Sequence, residues 1–67
     1  MEKMTMKALR INAGLTQREA AKAINVTTGT LCRWERGRTA PPIDKVIQLA
    51  ALYRCTVDEF LMPYYHA

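Results

Sequence analysis

Thr28, Gly29, Cys32, Arg33 and Arg36 are spaced so that, on one helix, they would stand together on its outer side. Hydroxyls and guanidinium groups in that arrangement offer hydrogen bonds and positive charge rather than nucleophilic or acid–base chemistry. They suit a polyanion whose edges carry acceptors. What would hold them outward lies in the same segment. Leu31 and Trp34 are three apart and share the opposite, inner face. Just upstream, Ala20 and Ile24 are four apart and share one face of a preceding helix, and Val26 falls where a turn would carry it into the gap between the two. Residues 17–36 therefore read as a helix-turn-helix unit with its second helix aimed outward. Such a thin, basic, hydrogen-bonding ridge has the shape that a DNA major groove accepts. The plainer alternative for Arg33 is an ordinary solvated arginine, and Trp34 at this spacing reads as core rather than as a base-stacking ring.

Catalysis requires convergent groups, and the sequence does not supply them. It has no serine, Asp58 and Glu59 belong to a helix cap, and His66 stands alone in the tail. Cys32 and Cys55 match no metal-ligand spacing and read as two free thiols. No enzyme activity, metal or cofactor is expected. The 67 residues make a single domain, 1–67, near the lower size limit for folding without staples, where only about 60% of the unfolded surface is buried. The sequence has no signal-peptide core and no stretch that could span a bilayer, so no membrane association is expected and the reading is cytoplasmic.

The net charge is +4, and it is unevenly placed. Residues 1–40 hold eight basic and three acidic side chains, whereas residues 41–67 hold two basic and three acidic ones. The positive field thus belongs to the half that carries the two-helix unit, where a polyanion would bind with a steep salt dependence.

Glycine, proline and asparagine divide the chain into five helices. The first runs from Thr5 to Asn12, with Met6 and Leu9 inward, Ala13 as a third inward candidate, and Gly14 ending it in the left-handed conformation. Thr16-Gln17-Arg18-Glu19 is a capping box opening the second, with Leu15 as its hydrophobic staple; that helix lasts to about Ile24, and Asn25 turns the chain with positive φ. Thr27 caps the third, which ends at Gly37, and Gly29 in its first turn costs about 1 kcal/mol against alanine. The fourth runs from Ile43 to Tyr53 along an inner stripe of Val46, Leu49, Ala50 and Tyr53. A second capping box, Thr56 to Glu59, opens a short fifth helix that Pro63 stops. No segment alternates as a strand does, so the expected class is all-α.

Taken in order, Leu9-Arg10, Gly14-Leu15-Thr16-Gln17-Arg18-Glu19, Ala21, Trp34-Glu35-Arg36-Gly37, Pro41, Leu49-Ala50 and Thr56-Val57-Asp58-Glu59-Phe60-Leu61 resemble the phage repressor and Cro-like helix-turn-helix family, the xenobiotic-response-element type. The resemblance covers the chain from about Met6 to Leu61. It implies a five-helix, lambda-repressor-like DNA-binding domain that regulates transcription, with double-stranded DNA as its partner. Carried over residue by residue, it implies that Thr27, Thr28, Gly29 and Arg33 face the bases. Arg33 would pair with guanine O6 and N7. Gln17, Arg18, Arg36 and Arg38 would lie against the DNA backbone. It implies also an ion pair between Arg10 and Glu35. Two departures stand out. Ala20 replaces the family's usual leucine, and Gly29 replaces a longer polar side chain.

Family members commonly bind paired half-sites, so a homodimer through the C-terminal helix and the tail Met62-Pro63-Tyr64-Tyr65 is expected; the alternative is that these rings fold back on their own domain. A small-molecule effector is not expected. The alternative function is an antitoxin or a protein-partner-binding module on the same fold.

Overall fold

The computed structural model of the protein describes residues 4–61, the side chain of Leu61 excepted. The order is β1 (Met4–Thr5), α1 (Met6–Asn12), α2 (Gln17–Ala23), α3 (Thr28–Glu35), α4 (Ile43–Tyr53), a 3₁₀ turn (Val57–Glu59) and β2 (Phe60–Leu61).

Local hydrogen bonding explains where these helices start. The Thr5 hydroxyl accepts from the Ala8 N–H at 3.1 Å and caps α1. At α2 the box is reciprocal: Thr16 Oγ1 accepts from the Glu19 N–H at 3.1 Å, and Glu19 Oε1 accepts from the Thr16 N–H at 2.9 Å. The Thr16 N–H, followed by the Thr16 side chain, favours the charged carboxylate and holds Glu19 below its ordinary pKa of 4.5. Thr27 caps α3 through the Thr30 N–H at 3.2 Å.

All four α-helices end in the same way. A residue with left-handed φ follows each one: Gly14 at 77°, Asn25 at 62°, Gly37 at 73° and Arg54 at 57°. The next N–H then reaches back five residues to an otherwise orphaned carbonyl: Leu15 to Arg10 at 3.2 Å, Val26 to Ala21 at 2.9 Å, Arg38 to Arg33 at 2.9 Å and Cys55 to Ala50 at 2.9 Å. Gly14, Asn25 and Gly37 are residue types that adopt this conformation readily. Arg54 is not, and its strain of about 1–2 kcal/mol is set against the carbonyls it allows Arg54 and Cys55 to satisfy.

Met6, Leu9, Ala20, Ala21, Ile24, Leu31, Trp34, Val46, Leu49, Ala50, Tyr53 and Phe60 form one core. The inner stripe expected on α4 is the buried one. Val26 and Leu15 are half-buried against the core. Ala13, an inward candidate from the sequence, is exposed, because it is already the C-cap of α1 as the chain swings out toward Gly14.

One expectation is corrected. Among the described residues there are four α-helices, not five, in a mostly helical fold that fits the expected all-α class. Thr56 and Glu59 do associate, with Glu59 Oε1 accepting from the Thr56 N–H and hydroxyl at 3.3 Å each. They close only a single 3₁₀ turn. Phe60 is then extended at φ −74° and ψ 126°, so that its ring enters the core and its backbone joins a parallel ladder in which Met4 faces Phe60 and Thr5 faces Leu61. The C-terminal helix expected at a dimer contact is therefore absent from the described residues, and Met62 to Tyr65 lie outside them.

Tyr53 is a buried core residue whose hydroxyl has no hydrogen-bond partner among the described residues. Burial, followed by the negative charge of Glu35, pushes its phenol far above the ordinary value of 10.0. An acid whose folded pKa is raised contributes stability that is complete below its unfolded pKa and is lost above it. The protein should therefore lose stability as the pH rises past 10.0. Tyr53→Phe should remove that alkaline loss while raising stability at neutral pH by about 1 kcal/mol, since it deletes a buried unsatisfied hydroxyl. Urea melts at two pH values measure both effects.

Candidate nucleic-acid interface

α3 has the two-sidedness that its spacing requires. Leu31 is fully buried and Trp34 nearly so, while Thr28, Gly29, Arg33 and Arg36 are exposed and Cys32 is half-buried. Thr27 and Arg38 flank the helix and are exposed too, as is Arg18 on α2. The exposed side of α3 and the loop after it thus carry three arginines, Arg33, Arg36 and Arg38.

A row of hydrogen bonds runs along that side. Thr27 Oγ1 and Thr30 Oγ1 are 2.8 Å apart, and Arg33 Nη2 donates to Thr30 Oγ1 at 3.4 Å. These residues are three apart, so they lie along one edge of the helix. The Thr27 hydroxyl is thereby engaged in its cap and in Thr30, leaving Thr28 with the freer hydroxyl. Thr30 was not singled out from the sequence. The signal for it is its position midway between Thr27 and Arg33.

Behind this side, a buried ion pair fastens α3 to the rest of the domain. Arg10 Nε donates to Glu35 Oε2 at 2.7 Å, and Arg10 Nη2 donates to Glu35 Oε1 at 3.2 Å. The two side chains are only 8% and 3% exposed. Arg10 Nη1 also donates to the Leu15 carbonyl at 2.9 Å, and Gln17 Nε2 donates to Glu35 Oε1 at 2.9 Å. Its hydrogen bonds to Glu35 raise the Arg10 pKa, so the guanidinium stays charged at every accessible pH. One carboxylate thus joins α1, α2 and α3. Gln17, assigned from the resemblance to the DNA backbone, has its side-chain amide held on Glu35 instead of free.

The turn between α2 and α3 is braced from a third direction. Lys45 on α4 donates from Nζ to the Ile24 carbonyl at 2.9 Å, where the end of α2 favours a cation. Lys45 was missed in the sequence because its partner is 21 residues away, on another element.

No group of His, Cys, Asp and Glu able to hold a metal ion occurs among the described residues, and no helix there is long and apolar enough to cross a membrane. Cys32 and Cys55 are free thiols.

Residues 6–60 match the family model described as helix-turn-helix. The chain belongs to the helix-turn-helix family of the phage-repressor and Cro type. It is similar to the HTH-type transcriptional regulator ImmR of Bacillus subtilis (strain 168), with 36% identity over 56 residues. That match covers 84% of this chain but 44% of the relative, so the chain spans less than half of the relative's length. No solved structure matches the chain significantly.

Within this helix-turn-helix unit Gly29 has no structural reason to be glycine. Its φ is not left-handed, and a Cβ built there would meet only Arg33 Nη1, at 3.8 Å, an ordinary contact. Gly29→Ala should therefore stabilise the free protein by about 1 kcal/mol through helix propensity, raising the melting temperature by roughly 4–8 °C. Thermal melts followed by circular dichroism measure this directly; a lowered Tm would mean that the backbone there needs glycine.

Proposed function

We propose that the protein is a DNA-binding transcriptional regulator whose α3 enters the major groove of an operator. One observation carries the reading. The outward side of α3 bears Thr28, Gly29 and Arg33, while its inward side is fixed by Leu31, Trp34 and the Arg10–Glu35 pair. A recognition element must present hydrogen-bonding groups in a set orientation, and a helix immobilised from behind does so at little entropic cost. In this reading Thr27, Thr28, Gly29 and Arg33 lie along the base edges. Arg18, Arg36 and Arg38 lie on phosphates, and Gln17 adds a backbone contact with whatever hydrogen-bonding capacity Glu35 leaves it. The likeness to ImmR of Bacillus subtilis, a transcriptional regulator, supports the same class. The protein would act as a pair of copies on two half-sites about 34 Å apart, one turn of DNA.

The test is selection of bound duplexes from a random pool at two salt concentrations. A palindromic consensus whose enrichment falls steeply with salt is the expected result. Failure to enrich any sequence would overturn the reading in favour of a protein-partner module.

A further inference from the structure

The Arg33 side chain lies back along α3. A helical side chain leans toward the N-terminus of its helix, over the residues three and four before it. For Arg33 these are Thr30 and Gly29, and the guanidinium meets both. Arg33 Nη2 donates to Thr30 Oγ1 at 3.4 Å, and Arg33 Nη1 passes 3.8 Å from where a Cβ at Gly29 would stand. One neighbour holds the guanidinium and the other leaves room for it.

The holding group is itself held. Thr30 Oγ1 lies 2.8 Å from Thr27 Oγ1, which also accepts from the Thr30 N–H at 3.2 Å. A guanidinium can only donate, so the Thr30 oxygen accepts from it and the Thr30 proton is free to go to Thr27. The bonds then run from Arg33 through Thr30 to the cap of the helix, with a positive charge at the donor end, which strengthens the next bond in the chain. Arg36 and Arg38 are exposed and have no such partner among the described residues.

We propose that Thr30 and Gly29 form a seat that fixes the Arg33 guanidinium over the first turn of α3 before DNA is met. Thr30 is the positioning residue and Gly29 supplies the space. The inference deepens the reading of α3 as the recognition helix and rests on it. Base contacts come mainly from the N-terminal residues of such a helix, whereas Arg33 is rooted in its second turn. Leaning back carries the guanidinium fork up to the level of Gly29, the position that lacks a side chain of its own. Arg33 thus supplies the hydrogen bonds that residue 29 does not. Thr30 takes one of the five N–H donors, and those that remain still include a pair for guanine O6 and N7.

The first measurement uses no DNA. Nitrogen relaxation of the arginine Nε–H groups in the free chain should show Arg33 more ordered than Arg36 and Arg38. Thr30→Val, which keeps the shape and drops the hydroxyl, should bring Arg33 down to their level, and Thr30→Ser should leave it ordered. All three chains should melt alike, since each keeps the backbone N–H through which Thr27 caps the helix.

The second measurement is titration of the selected operator. Thr30→Val should weaken binding roughly 2- to 12-fold, what ordering one flexible side chain on binding costs. The loss should fall on the consensus position that Arg33→Ala relaxes, and it should vanish when Thr30→Val is placed on top of Arg33→Ala. Gly29→Leu, which fills the seat, should relax the same position, and Gly29→Ala should keep it. A free chain in which Arg33 is no more ordered than Arg36 and Arg38 overturns the proposal. So does a Thr30→Val chain that keeps its discrimination, or one that weakens the Arg33→Ala chain as much as the unaltered one. If the random pool yields no operator, the DNA reading falls by itself, while the relaxation of Arg33 still decides whether the seat exists.

Discussion

Glu35→Ala is expected to remove about 3 kcal/mol of folding stability, the low end of what breaking a buried ion pair costs. A chain of this length has about 3–10 kcal/mol in total, so the variant would lie near the limit of folding. The reason is what the substitution leaves behind more than what it takes away. Arg10 is 7% exposed and stays charged, and it would keep only the Leu15 carbonyl as an acceptor. The Gln17 amide would lose its acceptor in the same step. A thermal melt should move down by roughly 12–24 °C, whereas Arg18→Ala, on the exposed side of α2, should move it by very little. Arg10→Met placed on top of Glu35→Ala should recover part of the loss, because it removes the stranded charge. An unchanged melt for Glu35→Ala would show that the pair holds nothing together.

Arg33→Ala is expected to weaken binding to the selected operator by roughly 5- to 150-fold, the worth of one bidentate arginine–guanine contact of about 1–3 kcal/mol. Its melting curve should stay where it was, since Arg33 is exposed and its hydrogen bond to the Thr30 hydroxyl is a long one, 3.4 Å. The loss should fall on one position of the consensus, which becomes tolerant of other bases. Arg36→Ala and Arg38→Ala should behave differently. Each should weaken binding to all sequences alike and lower the salt slope by about one. Titrations by fluorescence anisotropy on matched and mismatched duplexes separate the two patterns. An Arg33→Ala chain that binds the matched duplex as tightly as the unaltered chain, and still discriminates against the mismatch, would remove Arg33 from the reading face.

The parts of this fold that could be read from the residues are those governed by short-range rules. The Ile43–Tyr53 bounds and the inner stripe of α4 follow from its apolar period and from Pro42 before it. The Thr16–Glu19 box sets the start of α2, and Gly14, Asn25 and Gly37 end three helices, as their backbone freedom allows. A capping box, however, signals where a helix begins and not how far it runs. Thr56 and Glu59 therefore suggested a fifth helix, where the pull of Phe60 into the core stops the chain after one turn. Two-residue strands are too short to alternate, so the β1–β2 pairing left no pattern to find. Arg54 in a left-handed cap was equally invisible, because nothing about arginine favours that conformation.

The site divides along the same line. Which residues of α3 face outward was legible from Leu31 and Trp34 alone. The contacts that hold α3 in place join residues far apart in the chain, Arg10 with Glu35, Gln17 with Glu35 and Lys45 with Ile24. Spacing cannot bring such residues together. The first pairing was suggested by resemblance to the family, and the other two emerged only with the fold.

The pairing of Met4 with Phe60 and of Thr5 with Leu61 joins backbone separated by 56 residues. A helical chain is usually quick to fold, since its contacts are close in sequence; this one must also close a loop that embraces nearly every described residue. Neither strand has a partner until the helices between them are assembled, so the ladder should be the last stitch made and the first undone. Deuterium uptake at its amides would then run ahead of uptake in the middle of α4, marking a seam along which the domain begins to open.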